Sequence, residues 1–211
     1  MGCRIVLLGP PGAGKGTQAY RLAERLDLPL IITGDLLRSE VHEGTATGRE
    51  ARAYLDRGEL VPNELVVAMI RDELDRVDAH EGFILDGFPR NGVQAEALDA
   101  ITEIDQAVLI DIPREDVVER LSARRVCGAC GAVYNLISDP PTQEGVCDDC
   151  GGELTQRSDD GPDVVARRYD VQYNESVKPL IDAYRERGVL VTVDGRGPID
   201  AVTDRLLEAV C

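Results

Sequence analysis

The stretch from Gly9 to Lys15 reads GPPGAGK and separates the apolar run Arg4 to Leu8 from a segment whose apolar residues have helical spacing. It matches the pattern G-x-x-x-x-G-K, and the order strand, glycine loop, helix is the context in which that pattern binds phosphate. Glycines let successive backbone N–H groups point into one concavity, and the helix N-terminus adds positive charge. The stretch therefore predicts a phosphate-binding loop in which Lys15 reaches the β and γ phosphates of a nucleotide.

This loop departs from the strict pattern at one position. Gly16 stands where the pattern has the Ser or Thr whose hydroxyl binds Mg²⁺, and Thr17 follows it. We therefore expect the loop not to ligate Mg²⁺ directly. Asp86 follows an apolar run and so ends a strand facing the loop, where it is expected to orient Mg²⁺ through water, since Mg²⁺ keeps several waters in protein sites. A helix cap is the alternative for Asp86.

Apolar runs bounded by turn residues define the core. Besides Arg4 to Leu8 they are Leu30 to Ile32, Phe83 to Leu85, Ala107 to Ile110 and Val189 to Val193, separated by amphipathic segments. Five buried strands alternating with helices predict an α/β fold, with a doubly wound five-stranded parallel sheet covered on both faces.

Two segments break this alternation. Residues 33–61 hold short helical stretches punctuated by glycines, and they predict a small helical insertion. Residues 124–160 are rich in Gly, Pro, Asp and Cys, and they predict a compact appendage that needs a staple. The core is then formed by residues 1–32, 62–123 and 161–211.

Two C-x₂-C pairs, Cys127 with Cys130 and Cys147 with Cys150, supply that staple. Their spacing is typical of a four-cysteine zinc site, and four protein ligands leave no open position, so the metal is expected to be structural. Disulfides, or iron in place of zinc, are the alternatives. Acidic residues surround the pairs and argue against a nucleic-acid-binding ribbon. Cys3 and Cys211 belong to no motif and are expected to be free thiols.

Length and charge limit the class of protein. The 211 residues can bury one sizeable core with insertions, and no run approaches the ~20 apolar residues of a membrane-spanning helix. A net charge of −16 argues against binding nucleic acid or an anionic membrane through the general surface. We expect a cytoplasmic monomer without either partner. Lys15 and Lys178 are the only lysines, which, with the excess of acids, indicates adaptation to high salt or a bias in base composition.

Arginines are placed where they could hold phosphates. Arg38 lies in the helical insertion, and Arg90 follows a Gly-Phe-Pro turn at the strand edge where α/β sheets bind ligands. The planar fork of arginine can grip phosphate through two hydrogen bonds. Further arginines flank the appendage: Arg120, Arg124 and Arg125 before or at its start, and Arg157, Arg167 and Arg168 at or after its end. Each arginine alone could form a surface ion pair, whereas the set suits two polyanions held close together.

Taken in order, these motifs resemble the adenylate kinase family over essentially the whole chain. They are Gly9 to Thr17, Thr33-Gly-Asp-Leu-Leu-Arg38, Asp86-Gly-Phe-Pro-Arg90 with Gln94, and the arginines Arg120, Arg124, Arg157 and Arg168. The resemblance implies reversible transfer of the terminal phosphoryl group of ATP to AMP, giving two ADP, with Mg²⁺ beside ATP. It makes residues 33–61 the AMP-binding insertion and residues 124–160 a zinc-binding lid. The alternatives are a kinase for another nucleoside monophosphate, a regulatory NTPase switch and a zinc-dependent binding module.

The resemblance also implies site residues. For ATP they are Gly12, Ala13, Gly14, Lys15, Gly16, Thr17, Arg120, Arg124, Val133, Tyr134 and Gly197. For AMP they are Thr33, Arg38, Glu59, Leu60, Val61, Gly87, Phe88, Pro89, Arg90, Gln94, Arg157 and Arg168. The catalytic set is Lys15, Asp86, Arg90, Arg124, Arg157 and Arg168. Gln94 can offer a donor and an acceptor to the adenine edge, with an ordinary exposed helix residue as the alternative. Arg125 and Arg167 match no such position and are expected on the surface or in ion pairs.

Overall fold

A computed structural model describes residues 3–57, 59–77, 81–157 and 160–210. In chain order its elements are β1 (Arg4–Leu8), α1 (Lys15–Leu26), β2 (Leu30–Ile32), α2 (Thr33–Glu43), α3 (Ala46–Asp56), α4 (Asn63–Arg76), β3 (Phe83–Asp86), α5 (Gly92–Asp99), β4 (Gln106–Asp111), α6 (Arg114–Ala123), β5 (Arg124–Cys127), β6 (Val133–Asn135), β7 (Leu154–Thr155), α7 (Pro162–Arg167), a π-helical segment (Arg168–Val177), α8 (Lys178–Glu186), β8 (Leu190–Asp194) and α9 (Ile199–Ala209).

The central sheet is parallel and has the strand order β2-β3-β1-β4-β8. Alternate residues of the strands enter two separate apolar clusters: Val6 and Leu85 belong to one, Ile5 and Ile84 to the other. Because both faces are covered, the strands are apolar at nearly every position, which is why the sequence shows them as continuous runs. The predicted five-stranded parallel sheet is confirmed.

The helical insertion is more regular than the sequence predicts. It contains two helices of eleven residues each, α2 and α3, rather than short stretches. Gly44 ends α2 in the left-handed conformation, with φ of 67°. Gly48 lies inside α3, where a Cβ atom would stand 1.9 Å from the carbonyl oxygen of Glu40. The glycines therefore end one helix and allow the next to pack closely on it, instead of breaking the segment into turns.

The lid contains a small antiparallel sheet in the order β6-β5-β7. Its apolar cluster is made of Cys127, Tyr134, Cys147 and Leu154. A cluster of only four buried residues removes little apolar surface from water, and small units of this kind usually need a metal or a disulfide to fold. The division of the chain into domains at residues 33–61 and 124–160 stays a prediction.

The two cysteines near the ends of the chain differ from the prediction of free thiols. Cys3 takes part in a disulfide bond, so that prediction is wrong for Cys3, and Cys211 lies outside the described residues.

Among the described helices none is both long enough and apolar enough to cross a membrane.

Candidate active site

The phosphate-binding loop joins β1 to α1 at the carboxyl edge of the sheet. Gly9 has φ of 146°, and a Cβ atom there would lie 2.5 Å from the carbonyl oxygen of Ile110 on β4, so only glycine fits. Gly14 precedes α1 with φ of 90°. The Nζ atom of Lys15 donates hydrogen bonds to the carbonyl oxygens of Gly9 and Pro10 at 2.9 and 2.8 Å. The lysine thus folds back over the loop that it follows.

Asp86 faces this loop from the end of β3, as the sequence predicts. It is buried, and one of its carboxylate oxygens lies 3.6 Å from the position that a Cβ atom of Gly16 would take. Burial raises the pKa of Asp86, while the charges of Lys15 and Arg90 lower it. Burial lowers the pKa of Lys15 to about 8, partly offset by Asp86. The helix that follows Asp86, α5, is capped by Asn91, so the cap alternative for Asp86 is not supported there.

Two cavities open beside the loop and meet. The first cavity has a volume of about 440 Å³ and is lined by Gly9, Pro11 and Lys15 among others. The second cavity, about 550 Å³, lies between the helical insertion and the core. The residues that line both are Gly87, Arg90, Arg168 and Gln172. A group passed from one cavity to the other would therefore pass these two arginines.

Most residues expected around AMP line the second cavity. They are Thr33, Arg38, Glu59, Leu60, Val61, Gly87, Arg90, Gln94 and Arg168. Pro89 lines the first cavity, and the side chain of Phe88 is fully buried in the core. Within the described ranges the buried hydroxyl of Thr33 has no hydrogen-bond partner. An unsatisfied buried hydroxyl is costly, so a ligand atom that bonds to it would gain affinity.

The arginines of the cleft are held by acceptors of the chain itself. Arg38 forms an ion pair with Asp35 at 2.5 Å. Arg90 donates from Nε to the carbonyl oxygen of Gly87 at 2.8 Å and from Nη1 to Gln172 at 3.4 Å. These contacts fix where each guanidinium points before any phosphate binds.

A buried acid joins two further arginines. Asp160 is fully buried, accepts from Nε of Arg124 at 2.7 Å and from its Nη2, and lies 3.4 Å from Nη1 of Arg168. Sequence reasoning missed it, because Asp160 is one of the acidic residues around the cysteine pairs, which served only to argue against nucleic-acid binding. The sequence feature that could have indicated its role is its position between Arg157 and Arg168, two arginines expected to converge on phosphate.

The comparisons with known proteins agree on one family. The family model for adenylate kinase matches residues 7–189. The chain is 50% identical over 204 residues to an adenylate kinase of Thermodesulfovibrio yellowstonii, covering 94% of each protein. It is 49% identical over 203 residues to one of Archaeoglobus fulgidus, with 94% of this chain and 93% of the relative covered, and 48% identical over 213 residues to one of Streptomyces griseus, with 98% and 97% covered.

The chain belongs to the adenylate kinase family. Family membership makes it a phosphotransferase, and it agrees with two cavities that meet at a pair of arginines.

In this member of the adenylate kinase family, the remaining residues expected around ATP are spread over the lid and the loop after β8. Arg120 donates to the carbonyl oxygen of Gly195 at 3.0 Å, two residues before Gly197. Val133 is half-exposed on β6, whereas the side chain of Tyr134 is buried in the lid and accepts from the backbone N–H of Asp148 at 2.8 Å. The structure therefore places Arg120 beside the loop of Gly197.

Three further arginines that flank the lid, Arg125, Arg157 and Arg167, make different contacts. Burial raises the pKa of Tyr20, and the charge of Arg157 lowers it, so Arg157 lies within electrostatic reach of that hydroxyl; Arg157 is not among the described residues that line the two cavities. Arg125 donates to backbone carbonyl oxygens, and Arg167 forms an ion pair with Glu59 at 2.7 Å. Arg167 is therefore an ion-pair residue, as expected.

The four lid cysteines cluster closely enough to hold a metal. Their sulfur atoms all lie within 4.8 Å of one another, with Cys127 3.5 Å from Cys150 and Cys130 3.6 Å from Cys147. A tetrahedral zinc with Zn–S bonds of about 2.3 Å separates its ligands by roughly 3.8 Å, so the cluster fits that ion. The separations are far above the disulfide length of about 2.05 Å, and all four are free thiols.

Proposed function

We propose that this protein transfers the terminal phosphoryl group of ATP to AMP, reversibly, and forms two molecules of ADP. The observation that carries the proposal is the junction of the two cavities at Gly87, Arg90, Arg168 and Gln172. A nucleotide kinase needs two polyanions side by side, with cations between them, and a hydrolytic switch would need only one of these cavities. The adenylate kinases that the chain resembles support the same assignment.

The first cavity is proposed to take the phosphates of ATP. The N–H groups from Gly12 to Thr17 and the ammonium of Lys15 would surround the β and γ phosphates. We assign Arg120 and Arg124 to the phosphates of ATP, the backbone of Val133 and Tyr134 to its adenine, and Gly197 to a further contact with ATP. Lys15 must then leave the carbonyl oxygens of Gly9 and Pro10, to which it donates at 2.9 and 2.8 Å, and turn to the phosphates.

The second cavity is proposed to take AMP. Arg38, Arg90, Arg157 and Arg168 would bind its phosphate. The assigned contacts to the nucleoside are Thr33, Glu59, Leu60, Val61, Gly87, Phe88, Pro89 and Gln94. Support for this placement comes from the hydroxyl of Thr33, which is buried and has no partner among the described residues, and from Arg38, Arg90 and Arg168, which line the cavity.

Chemistry at the junction requires in-line placement and neutralised charge more than covalent assistance. Lys15, Arg90, Arg124, Arg157 and Arg168 supply positive charge along the path of the phosphoryl group. Mg²⁺, when it enters with ATP, neutralises phosphate charge. Asp86 would orient that ion through water, and its buried position next to the loop fits this task.

The metal in the lid is proposed to be zinc with a structural role. Four thiol ligands at tetrahedral spacing leave no position for substrate. We also propose a cytoplasmic location; the four free lid thiols fit a reducing compartment, whereas the disulfide at Cys3 does not. We propose that the enzyme acts as a monomer.

The test is a coupled assay of ADP formation with ATP, Mg²⁺ and each of AMP, GMP, CMP and UMP. We expect AMP to be the best acceptor. Lys15→Ala and Arg90→Ala should each lose activity by roughly a hundredfold at unchanged unfolding temperature, since each removes charge from the reacting phosphates. Arg125→Ala, which removes an arginine outside the cleft, is the matched control. Near-normal turnover in either folded variant, or preference for another monophosphate, would contradict the proposal.

A further inference from the structure

The amide of Gln94 is held at both of its polar atoms. Gln94 is 1% exposed and lines the second cavity. Its Oε1 accepts from the backbone N–H of Arg90 at 2.7 Å, and its Nε2 donates to Oδ1 of Asn63 at 3.0 Å. The same Oδ1 accepts from Nδ2 of Asn91 at 2.9 Å, while Oδ1 of Asn91 accepts from the backbone N–H of Gln94 at 3.0 Å.

The polarity of this network is set by the backbone. An amide side chain can be turned over, which exchanges its donor and its acceptor, but a backbone N–H can only donate. The N–H of Arg90 therefore requires the oxygen of Gln94, and the N–H of Gln94 requires the oxygen of Asn91. The amino groups of Asn91 and Gln94 then both donate to Asn63, which must accept the two hydrogen bonds through Oδ1. Every amide in the network has one orientation.

The network leaves the Gln94 amide able to bind one kind of base edge. One lone pair of Oε1 and one hydrogen of Nε2 remain after the bonds to Arg90 and Asn63. Adenine presents an amino donor at position 6 and an acceptor at ring nitrogen 1, which match that oxygen and that N–H. A 6-oxo purine presents an acceptor and a donor in the same places, so it requires the amide to be turned over.

We propose that Asn63 is a specificity-determining residue that locks the Gln94 amide, so that the second cavity accepts 6-amino purines and rejects 6-oxo purines. Asn91 fixes Asn63, and neither residue needs to touch the base. The inference rests on the proposed function, in which the second cavity binds the acceptor nucleotide. A helix-capping role does not explain the contact with Asn63, because Asn91 alone caps α5, and Asn63 belongs to another helix, at the start of α4.

The experiment compares AMP with inosine monophosphate as acceptors. These nucleotides differ only at position 6 and at ring nitrogen 1, so the ratio of their kcat/KM values reports the polarity of the site. Asn63→Leu keeps the size of the side chain and removes the acceptor. Asn63→Asp is the matched control, because a carboxylate keeps an acceptor at the same place. Asn63→Ala is a second test should the leucine variant fail to fold.

In Asn63→Leu we expect the inosine-to-adenosine ratio to rise about tenfold, which corresponds to about 1.4 kcal/mol. The N–H of Arg90 still opposes a turned amide, so AMP should stay the better acceptor. Asn63→Asp should keep the wild-type ratio. If the leucine and alanine variants lose activity with both nucleotides in equal proportion, Asn63 is only structural and the inference is wrong. If the wild-type protein does not phosphorylate AMP, the proposed function fails instead, so the two failures are distinguishable.

Discussion

Replacement of Asp160 by Asn should destabilise the folded protein substantially. The carboxylate is 0% exposed, and the side chains of Arg124 and Arg168 are 18% and 13% exposed. Removing one partner of a buried ion pair costs about 3–5 kcal/mol. Asn keeps one acceptor oxygen for Arg124, so we expect the lower end, about 3 kcal/mol. In a protein of this length 1 kcal/mol shifts the melting temperature by about 2–4 °C, so the variant should melt roughly 6–12 °C lower.

The assay is thermal unfolding followed by circular dichroism, with Asp99→Asn as the control. Asp99 accepts two hydrogen bonds from Arg187, both of 3.0 Å, but the two side chains are 39% and 41% exposed. Exposed pairs contribute about 1 kcal/mol at most, so this variant should melt close to the wild type. Equal melting temperatures of Asp160→Asn and the wild type would refute the energetic role of the buried acid.

A second arm asks whether phosphate can replace the carboxylate. Pyrophosphate brings negative charge to the same arginines, so it should raise the melting temperature of Asp160→Asn more than that of the wild type. The same increment in both proteins would show that Asp160 and phosphate do not share Arg124 and Arg168.

Three other outcomes follow from the lid, the lysine and the surface. A strong chelator should lower the melting temperature, metal analysis should find one zinc per chain, and Cys147→Ser should lose tight zinc binding; a metal-free protein of full stability would contradict the staple. Burial lowers the pKa of Lys15 to about 8, so the free enzyme loses this positive charge above that pH and kcat/KM should fall there. The value of kcat, measured with phosphates bound, should fall only at higher pH. A kcat/KM that stays constant from pH 7 to 10 would contradict this. Because the net charge is −16, the melting temperature should be higher in 2 M KCl than in 0.1 M KCl: the range of charge repulsion falls from about 10 Å at 0.1 M salt to about 3 Å at 1 M. Sucrose is the control for general exclusion effects. An unchanged or lower melting temperature in 2 M KCl would favour base-composition bias as the reason for the missing lysines.

The strands were predictable because they are buried on both faces, but among their polar ends only Asp86 of β3 was predicted. The apolar runs ending at Ile110 and Val193 indicated β4 and β8, and these strands extend to Asp111 and Asp194. A prediction from apolar runs ends a strand too early where the last residue of the strand, at the carboxyl edge of the sheet, is polar. That edge carries polar residues because the cleft lies there.

The site was predictable where its residues are neighbours in sequence. The phosphate-binding loop and the two cysteine pairs are local motifs, and each carries its own chemistry. The residues that orient the cleft are not local: Gln172 bonds to Arg90 across 82 residues, Asp160 to Arg124 across 36, and Asn63 to Gln94 across 31. Such contacts depend on how the chain folds back on itself, and no spacing in the sequence records them.

The two acids that hold cleft arginines differ in burial, and this decides which of them a phosphate can displace. Asp35 and Arg38 are 44% and 39% exposed, so their ion pair is weak and a phosphate dianion can replace the carboxylate. Asp160 is fully buried, and leaving its arginines without it is expensive. A guanidinium has five N–H groups, and Asp160 takes two of them from Arg124. A phosphate can therefore bind the outer edge of Arg124 while Asp160 stays, which keeps the arginine oriented in both states. Loss of this acid should accordingly reduce stability first, and a phosphate bound to the same arginines should restore part of that stability.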